Sequence, residues 1–525
     1  MQHTTHNKQQ SSLIHHFLEQ SARTFPDKIA LVHEDIRATY FEINNKANHL
    51  AHWLLGRGIT KGDRVVLLLE NSIEYVISYY GALKTGAVVA SLNSDLKPDG
   101  LRSIIRDLEP GIIISSRKFE RNLKAVDLNS FHPKALILDK PVLKWSSDSF
   151  PIFLWEDIPR GSEASDPGIQ MDKSDLSSIV YTSGSTGTPK GVMLSHGNIV
   201  SNTRSICRYL NLTGKDIQMV VLPFFYVMGK SLLNTHFAVG GQVVINNKFA
   251  FPATVINQMV DEQVTGFSGV PSTYAYLLHR SPLKSCRERL GSLRYCSQAG
   301  GHMSLRIKKE LRRVLPAHTE IFIMYGATEA SARLSFLSPD RFEDKMGSIG
   351  KAISGVVLRI LDENGRELPN NQTGELVAAG SNIMRGYWKD EQATAGVLDP
   401  NGYHTGDLGY RDDEGYFYLT GRKDNVLKVG GHRINPGEIE DTLMDSDLVI
   451  ETAVIGIPDD LLGNKLIAFA APKNGDCSEN RILRFCAGRL PKHKIPSDIK
   501  LVRALPKSSS GKINRTQCLE LLKMK

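Results

Sequence analysis

The sequence lacks the features of a membrane-spanning, secreted or zinc-binding protein. No run of about 18 or more apolar residues occurs, so we expect no membrane span. The first residues, from Met1 to Lys8, carry no apolar signal segment. The 6 cysteines are scattered without a C-x-x-C pair, which argues against a zinc site and against a disulfide framework. These absences favour a reducing compartment, and we expect a cytoplasmic protein.

Arginine-rich blocks and basic low-complexity tails are also absent, although the formal net charge is +8. We therefore expect no nucleic-acid partner. The positive surplus is interpreted partly as a solvated surface and partly as attraction for acidic small molecules or an acidic protein. With 41% hydrophobic and 23% charged residues, the composition is that of an ordinary globular chain.

Helical and strand patterns alternate from early in the chain. Apolar residues at helical spacing mark residues 47–55 and 73–80, whereas short apolar runs at 64–69 and 87–90 are typical of buried strands. This alternation predicts an α/β fold, in which ligands bind in crevices at the ends of strands. The length of 525 residues predicts more than one domain.

The most informative segment is Tyr181-Thr-Ser-Gly-Ser-Thr-Gly-Thr-Pro-Lys-Gly191. It combines hydroxyl side chains, glycines and one lysine, which are Thr182, Ser183, Gly184, Ser185, Thr186, Gly187, Thr188 and Lys190. Glycines let backbone N–H groups approach oxygen atoms closely, hydroxyls donate hydrogen bonds, and the lysine supplies a positive charge. The segment therefore has the chemistry of a loop that binds polyphosphate.

This loop does not fit the common Walker pattern, in which the lysine lies in the first turn of a helix. The residues after Lys190, Gly191 to Leu194, predict a strand, and Ser195 is an acceptable N-cap for a helix that follows. The loop should therefore connect two strands. The alternative is a serine- and glycine-rich surface turn, which the additional motifs below make much less favourable.

Further motifs occur in a fixed order along the chain. They are Met324-Tyr-Gly-Ala-Thr-Glu-Ala330, Gly374-Glu-Leu376, Gly386-Tyr-Trp388, Tyr403-His-Thr-Gly-Asp-Leu408, Thr420-Gly-Arg-Lys-Asp424 and Leu505-Pro-Lys-Ser-Ser-Ser-Gly-Lys-Ile513. Together with the loop they resemble the signatures of the AMP-forming adenylating superfamily: acyl-CoA synthetases, adenylation domains of peptide synthetases, and luciferases. The resemblance covers roughly residues 13–515 and is nearest to the acyl-CoA (fatty acid) ligase branch.

The resemblance implies a two-domain α/β architecture. A large N-terminal domain, residues 1–423, would contain mixed sheets flanked by helices and would bind AMP and the acyl group. A small mobile α+β domain, residues 424–525, would carry a catalytic lysine. The same resemblance implies ATP, Mg²⁺ and coenzyme A, or the phosphopantetheine of a carrier protein, as cofactors.

Residues of the nucleotide site are implied by position within these motifs. The loop from Thr182 to Gly187 and Lys190 would hold the β- and γ-phosphates and the leaving pyrophosphate. Glu329 would bind magnesium, since Mg²⁺ normally takes one carboxylate together with phosphate oxygens and waters, and Thr328 would contact the α-phosphate. The remaining contacts would be Tyr325 stacking on adenine beside Gly300 and Gly301, Gly326 in the same motif, and Asp407 with Arg422 on the ribose.

The C-terminal motifs imply the groups that act on the acyl carboxylate. Lys512 would bridge the carboxylate and the α-phosphate oxygens during adenylation, because a compact ammonium on a long stem serves two anions at once. Asp424 matches the hinge, and Gly431 and Arg433 match the loop that faces the thiol donor.

The acyl pocket is where the chain departs from the family pattern. In the motif Leu222-Pro-Phe-Phe-Tyr-Val-Met-Gly229, Tyr226 stands where many acyl-CoA synthetases carry histidine and amino-acid adenylating domains carry aspartate. Tyr226 supplies no charge for a substrate amine, so an α-amino acid is disfavoured. The pocket residues are predicted to be Phe225, Tyr226, Met228, Phe267 and Ser268, which favours a fatty or other apolar acid.

The leading interpretation is therefore a two-step acid–thiol ligase that forms an acyl-adenylate, releases pyrophosphate and transfers the acyl group to coenzyme A. An acyl-AMP ligase that loads a carrier protein is the alternative. An ATP hydrolase or kinase and a catalytically silent binding protein are further hypotheses. The presence of Lys190, Glu329, Asp407, Arg422 and Lys512 argues against the silent protein.

Overall fold

The computed structural model describes residues 12–159, 161, 163–183, 189–425, 427–459, 462–475, 477–508 and 511–523. Its helices, in chain order, are α1 His15–Thr24, α2 Tyr40–Gly56, α3 Ile73–Lys84, α4 Pro98–Leu108, α5 Glu120–Lys124, α6 His196–Tyr209, α7 Val227–Val239, α8 Pro252–Asp261, α9 Pro271–Arg280, α10 Leu305–Val314, α11 Glu391–Ala395, α12 Pro436–Asp445, α13 Glu479–Ala487 and α14 Arg515–Lys523.

The strands, in chain order, are β1 Ile29–His33, β2 Ile36–Thr39, β3 Arg64–Leu68, β4 Val88–Ser91, β5 Ile112–Ser116, β6 Ala135–Asp139, β7 Ile152–Leu154, β8 Leu176–Ser183, β9 Pro189–Ser195, β10 Ile217–Val220, β11 Gln242–Ile245, β12 Gly266–Gly269, β13 Tyr295–Gln298, β14 Glu320–Tyr325, β15 Ser335–Leu337, β16 Lys351–Ala352, β17 Val356–Leu361, β18 Gly374–Gly380, β19 Gly386–Tyr387, β20 Leu398–Asp399, β21 Gly402–Arg411, β22 Phe417–Arg422, β23 Leu427–Val429, β24 His432–Ile434, β25 Val449–Asp459, β26 Gly463–Pro472 and β27 Asp498–Leu501.

The chain divides into two compact units. The first comprises residues 1–247, 328–332 and 380–395, and the second comprises residues 248–327, 333–379 and 396–525. The division does not follow the predicted boundary at Asp424, which therefore stays a prediction.

In the first unit, one sheet has the strand order β19-β9-β8-β4-β3-β5-β6-β7. Strands β3 to β7 pair in parallel, whereas β8 and β9 form an antiparallel hairpin. Strand β4 is buried along its whole length, as expected for a parallel strand covered on both faces. Strands β10, β11, β1 and β2 pair in that order elsewhere in the same unit.

In the second unit, strands β12, β13 and β14 pair in parallel, and β15 and β16 add antiparallel to β14. An antiparallel sheet follows in the order β17-β18-β21-β20, with β22 also paired to β21. Beyond a short β23–β24 hairpin, β25, β26 and β27 form a sheet with helices α12, α13 and α14. This α+β arrangement of the C-terminal segment and the α/β class of the chain confirm the predicted fold.

Local sequence signals explain several element boundaries. Ser195 caps α6 through a capping box, in which its side chain accepts the Asn198 N–H and the Asn198 side chain accepts the Ser195 N–H. Asn435 caps α12, and Pro436 occupies the first helical position, where its missing N–H costs nothing. The start of α6 after Ser195 was predicted from the sequence and is confirmed.

The cores also follow the predicted apolar spacing. Ala47, Leu50, Ala51 and Leu54 form the inner face of α2 and are fully buried. None of the helices in the described residues is long and apolar enough to cross a lipid bilayer.

Candidate active site

The loop predicted to bind phosphate lies between two antiparallel strands, as the sequence predicts. Thr182 on β8 lies opposite Lys190 on β9 in the hairpin register. Gly184, Ser185, Thr186 and Gly187, and the side chain of Ser183, lie outside the described residues. The described ends of the loop therefore place one hydroxyl and one ammonium side by side at the end of the hairpin.

Tyr387 connects Lys190 to Glu329 within the first unit. Strand β19 pairs with β9, so Tyr387 lies directly opposite Val192. The hydroxyl of Tyr387 donates to Glu329 Oε1 at 2.9 Å, and the Lys190 Nζ lies 5.2 Å from the centre of the tyrosine ring. The ring thus holds a carboxylate at its polar end and an ammonium over its face.

The carboxylate of Glu329 fits a magnesium ligand chemically. Tyr387 occupies Oε1, and among the described residues Oε2 has no hydrogen-bond partner. Mg²⁺ prefers oxygen ligands and usually takes only one or two carboxylates besides phosphate and water. The backbone around this residue is fixed, because the Glu329 carbonyl accepts the Met384 N–H at 2.7 Å.

The segment after Glu329 bends through strained backbone. Ser331 has φ of 58° and Ala332 has φ of 119°, a region that residues with a Cβ rarely adopt. The Ser331 hydroxyl donates to the Asn382 carbonyl at 2.8 Å and holds the bend. Two successive non-glycine residues with positive φ are unfavourable locally, so the surrounding structure must hold the backbone in this conformation.

A second cluster, the Asp407 cluster, consists of Tyr325, Asp407 and Arg422 in the second unit. Asp407 and Arg422 lie opposite each other on β21 and β22. Arg422 Nη1 lies 3.1 Å from Asp407 Oδ1, and the Tyr325 hydroxyl donates to Asp407 Oδ2. Each carboxylate oxygen therefore has its own donor, which fixes the orientation of the carboxylate.

Burial raises the pKa of Asp407, whereas the positive charge of Arg422, the Tyr325 hydrogen bond and the charge of Lys512 oppose that rise. Desolvation and the neighbouring Asp407 carboxylate raise the pKa of Tyr325 well above its ordinary value, so its hydroxyl remains a donor. Because ionised carboxylates only accept hydrogen bonds, Asp407 suits a ligand that presents hydroxyl groups, such as a ribose.

Glu375 supports the strand that carries Asp407. It accepts the Gly406 N–H at 3.2 Å through Oε1, and His404 and Lys423 through Oε2 at 2.9 and 2.6 Å. Gly406 has φ of 72°, so glycine is required at the residue before Asp407. Glu375 is thus a positioning residue for the Asp407 cluster.

The edge formed by the carboxyl ends of β12, β13 and β14 brings several predicted residues together. Gly300 and Gly301 follow β13, and Tyr325 ends the neighbouring parallel strand β14. Gly300 has φ of 82°, and Gly301 accepts the Gln298 side-chain N–H at 2.8 Å. The predicted placement of these glycines beside the tyrosine agrees with the strand order.

The C-terminal motif that contains Lys512, residues 505–513, is hydrogen-bonded to the same edge. Ser272, at the start of α9 just beyond β12, donates its hydroxyl to the Gly511 carbonyl at 2.5 Å. A Cβ on Gly511 would meet Val270 Cγ2 at 3.0 Å, and Gly511 has φ of 79°. The next residue, Lys512, is exposed, and its charge acts on the Asp407 carboxylate. The predicted catalytic lysine and ribose-binding aspartate therefore belong to one electrostatic environment.

The predicted acyl-pocket residues fall in both units. In the first, Phe225 and Tyr226 are half-buried at the start of α7, and Met228 is buried. In the second, Phe267 packs edge-to-face on Tyr274, and the Ser268 hydroxyl is bonded to that of Ser297 at 2.7 Å. Their role in acyl binding stays a prediction.

The predicted hinge and thiol-donor residues lie on exposed segments. Asp424 lies in a single 3-10 turn, Lys423–Asn425. Gly430 and Gly431 form the turn of the β23–β24 hairpin with φ of 54° and 83°, values typical of a tight hairpin turn. Arg433 lies on β24 opposite Lys428, and its side chain lies outside the described residues.

Sequence reasoning missed the supporting residues of both clusters. Tyr387 and Glu375 were recognised only as parts of motifs and received no role. The hydroxyl of Tyr325 was missed as well, because its ring alone was considered. The sequence indicated these residues only by their position in a motif. Their hydrogen-bond partners became evident only from the fold.

Comparison with known proteins identifies the family. A family model described as AMP-binding enzyme matches residues 18–388. A second model, described as AMP-binding enzyme C-terminal domain, matches residues 438–512. The first model alone spans more than half of the chain.

Similar proteins cover nearly the whole chain. The 2-succinylbenzoate–CoA ligase of Bacillus cytotoxicus is 30% identical over 97% of this chain and 99% of its own. The long-chain-fatty-acid–CoA ligase of Bacillus subtilis is 30% identical over 96% and 93%, respectively. A solved structure of O-succinylbenzoate coenzyme A synthetase from Bacillus subtilis, in complex with ATP and magnesium ion, has a TM-score of 0.80 and 27% identity, and the match covers 95% of this chain and 98% of that one.

Proposed function

Since the chain belongs to the family of AMP-binding enzymes and is of the acid–CoA ligase type, we propose that it activates a fatty or other largely apolar carboxylic acid. The acid reacts with ATP to form an acyl-adenylate, and the acyl group then passes to the thiol of coenzyme A. The observation that carries this proposal is the Asp407 cluster, which lies within the electrostatic reach of Lys512.

In the first half-reaction, a carboxylate oxygen of the acid attacks the α-phosphorus of ATP. A new P–O bond forms, the bond between the α- and β-phosphates breaks, and pyrophosphate leaves. Negative charge must be neutralised where it accumulates. We assign this role to Lys190 and Thr182 at the phosphates and to Lys512 at the meeting point of the carboxylate and the α-phosphate.

Magnesium bound at Glu329 would supply additional positive charge to the phosphate oxygens. The hydroxyl of Tyr387 orients the Glu329 carboxylate, and the fixed backbone at its carbonyl keeps this carboxylate in place. Thr328, which precedes Glu329 and is buried, is proposed to contact the α-phosphate.

The nucleoside is proposed to bind along the Asp407 cluster. Asp407 would accept the two ribose hydroxyls and Arg422 would donate to them, while the ring of Tyr325 would stack on adenine. Because the Tyr325 hydroxyl already donates to Asp407, the stacking residue and the ribose-binding residue are aligned before the nucleotide arrives. Such preorganisation lowers the entropic cost of binding.

In the second half-reaction, the thiol attacks the acyl carbonyl carbon, a C–S bond forms, and AMP leaves as the C–O bond breaks. We propose that residues 424–525 act as a mobile domain that turns at Asp424, so that the loop with Gly431 and Arg433 replaces Lys512. The exposed turn that carries Asp424 supports a hinge at this position.

The residues of the predicted acyl pocket favour an apolar acid. The half-buried Phe225 and Tyr226 and the buried Met228 are largely apolar, and Tyr226 offers no charge to a substrate amine. Relatives of equal similarity are named for an aromatic acid and for long-chain fatty acids. An apolar body is the property that these acids share.

Acid-dependent exchange of labelled pyrophosphate into ATP tests the proposal. The panel of acids should include acetate, medium- and long-chain fatty acids, aryl acids and amino acids, with magnesium present. Exchange with apolar acids, followed by CoA thioester formation, is the expected result. Exchange confined to amino acids, phosphate release in place of pyrophosphate, or transfer only to a carrier protein would each refute the proposal.

A further inference from the structure

A small polar cavity in the first unit is not used by the chemistry above. Its volume is about 10 Å³, close to that of one water molecule by the same measure. It is lined by Ser178, Val180, Leu194, Ile199, Thr203, Val227, Lys230, Ser231, Asn234 and Ser331.

Lys230 is the charged residue of this cavity, and it is only 3% exposed. Among the described residues, the hydrogen-bond partner of its Nζ is the neutral Ser91 hydroxyl at 3.3 Å. The same Nζ lies 5.2 Å from the ring centre of Tyr79. An ammonium has three donors, so this environment leaves donors of Lys230 without an acceptor. Burial lowers the pKa of Lys230 to about 7.

Ser178 presents a second unpaired group to the same cavity. It is fully buried on β8, and its hydroxyl has no hydrogen-bond partner among the described residues. A buried hydroxyl without a partner is unfavourable, because it has given up its hydrogen bonds to water. Two independent polar groups that need a partner therefore face one water-sized space.

Three other polar residues around the cavity already have partners. The hydroxyl of Ser231 donates to the Met228 carbonyl at 2.7 Å, and that of Ser331 donates to the Asn382 carbonyl at 2.8 Å. The side chain of Asn234 is bonded to the hydroxyls of two tyrosines. Among these groups, Lys230 and Ser178 are thus the ones with unmet hydrogen-bonding capacity.

The cavity lies where elements of the proposed site converge. Ser178 and Val180 point to the same face of β8, and the next residue on that face is Thr182 of the phosphate loop. Lys230 lies one helical turn after Tyr226, whose carbonyl accepts its N–H at 3.0 Å. Ser331 follows Glu329 by two residues. The motifs proposed to bind phosphate, the acyl group and the metal therefore all contribute residues next to this cavity.

We infer that this cavity binds one oxygen atom of the acyl group, held by Lys230 and Ser178, so that the preferred acid is a hydroxy or oxo derivative of an apolar acid. This inference rests on the proposed function. A volume close to that of one water molecule suits a single oxygen atom. A site built to hydrogen-bond an oxygen strongly rejects the analogue that lacks it, because its own polar groups are then left unpaired.

Matched pairs of acids test the inference. Pyrophosphate exchange would be measured with benzoate against salicylate, and with octanoate against its hydroxy and oxo derivatives. For the wild-type protein, kcat/KM should be higher for an oxygen-bearing member of a pair. In Lys230→Met, kcat/KM for that acid should fall about 10- to 100-fold, whereas kcat/KM for the plain acid should change little or rise.

Ser178→Ala provides a second variant that removes only one oxygen atom. It should also reduce kcat/KM for the oxygen-bearing acid, while its Tm stays unchanged or rises because an unpaired buried hydroxyl is gone. Ser205→Ala is the matched control, since Ser205 is another buried serine whose hydroxyl has no partner among the described residues, and it does not line this cavity. Its acid preference should equal that of the wild type.

Equal losses for both members of every pair would overturn the inference and make Lys230 a structural residue. A wild-type preference for the plain acids would overturn it as well. If Lys230→Met does not fold, the outcome for Ser178→Ala decides. Wild-type exchange with no acid at all is a distinct result, because it refutes the proposed adenylation and, with it, this inference.

Discussion

Two buried charges in this protein, on Asp407 and on Lys230, are held in opposite ways. Asp407 has a separate donor for each carboxylate oxygen, from Tyr325 and from Arg422. Lys230 has one neutral hydroxyl and the face of one ring. A buried charge is costly unless it is paired. The difference indicates that Asp407 is preorganised by the protein itself, whereas Lys230 obtains its missing partner from a ligand.

The largest effect should come from Lys512, whose charge reaches the Asp407 carboxylate. Lys512→Ala should slow acyl-adenylate formation by about a hundredfold or more, since losing such a charge contact typically costs about 3 kcal/mol. Thioester formation from supplied acyl-AMP should be spared, because the thiol attack does not need this ammonium. The two half-reactions would be measured separately, and equal loss in both would contradict the assigned role.

An intermediate effect should separate the two buried charges directly. Asp407→Asn leaves Arg422 and Tyr325 with a weaker acceptor and should lower the free energy of unfolding by about 1–3 kcal/mol. Lys230→Met removes an uncompensated charge from a buried site and should leave that free energy unchanged or raise it. Urea denaturation of both variants gives the comparison.

Asp148 provides a control for these two variants, because the same change of aspartate to asparagine can be made there at an exposed site. Asp148→Asn should change the free energy of unfolding by less than about 0.5 kcal/mol. Equal destabilisation by Asp407→Asn and Lys230→Met would remove the distinction between a charge paired by the protein and one left for a ligand.

The smallest effect concerns the support of the Asp407 strand. Burial alone would lower the pKa of His404, but the carboxylates of Glu375 and Asp399 outweigh it and raise the pKa above its ordinary value. The interaction of protonated His404 with these two carboxylates therefore stabilises the protein fully below the unfolded pKa of about 6.5. This contribution is lost as the pH rises through the higher folded pKa. The change should stay below about 1 kcal/mol because the group is partly solvated.

Comparing the free energy of unfolding of the wild type with that of His404→Gln at about pH 6 and about pH 8 measures this contribution. The difference between the two proteins should shrink at the higher pH. A difference that grows with pH would show that His404 is held in its neutral form.

Features encoded locally were predictable from the sequence. The capping residues Ser195 and Asn435 accept N–H groups only a few positions away. The starts of α6 and α12 are therefore encoded by residues that are neighbours in the sequence. The hairpin around the phosphate loop likewise follows from two apolar runs and the glycines between them. The candidate site residues were predicted as members of motifs.

Partnerships across long sequence separations were not predictable. The bond from Tyr325 to Asp407 spans 82 positions, and that from Tyr387 to Glu329 spans 58. Only the folded sheets decide that these side chains meet. Lys230 was missed for a different reason, because lysine is almost never fully buried and a lysine on a helix is ordinarily assigned to the surface.

The tie between Ser272 and Gly511 has a kinetic consequence. One hydroxyl-to-carbonyl hydrogen bond is worth about 1 kcal/mol net, so breaking it slows the departure of the loop only about fivefold. A carboxylate in place of the hydroxyl would repel the carbonyl, and a buried ion pair would hold the loop far longer. A hydrogen bond of this strength thus suits the proposed turn of residues 424–525, which would release Lys512 once in every catalytic cycle.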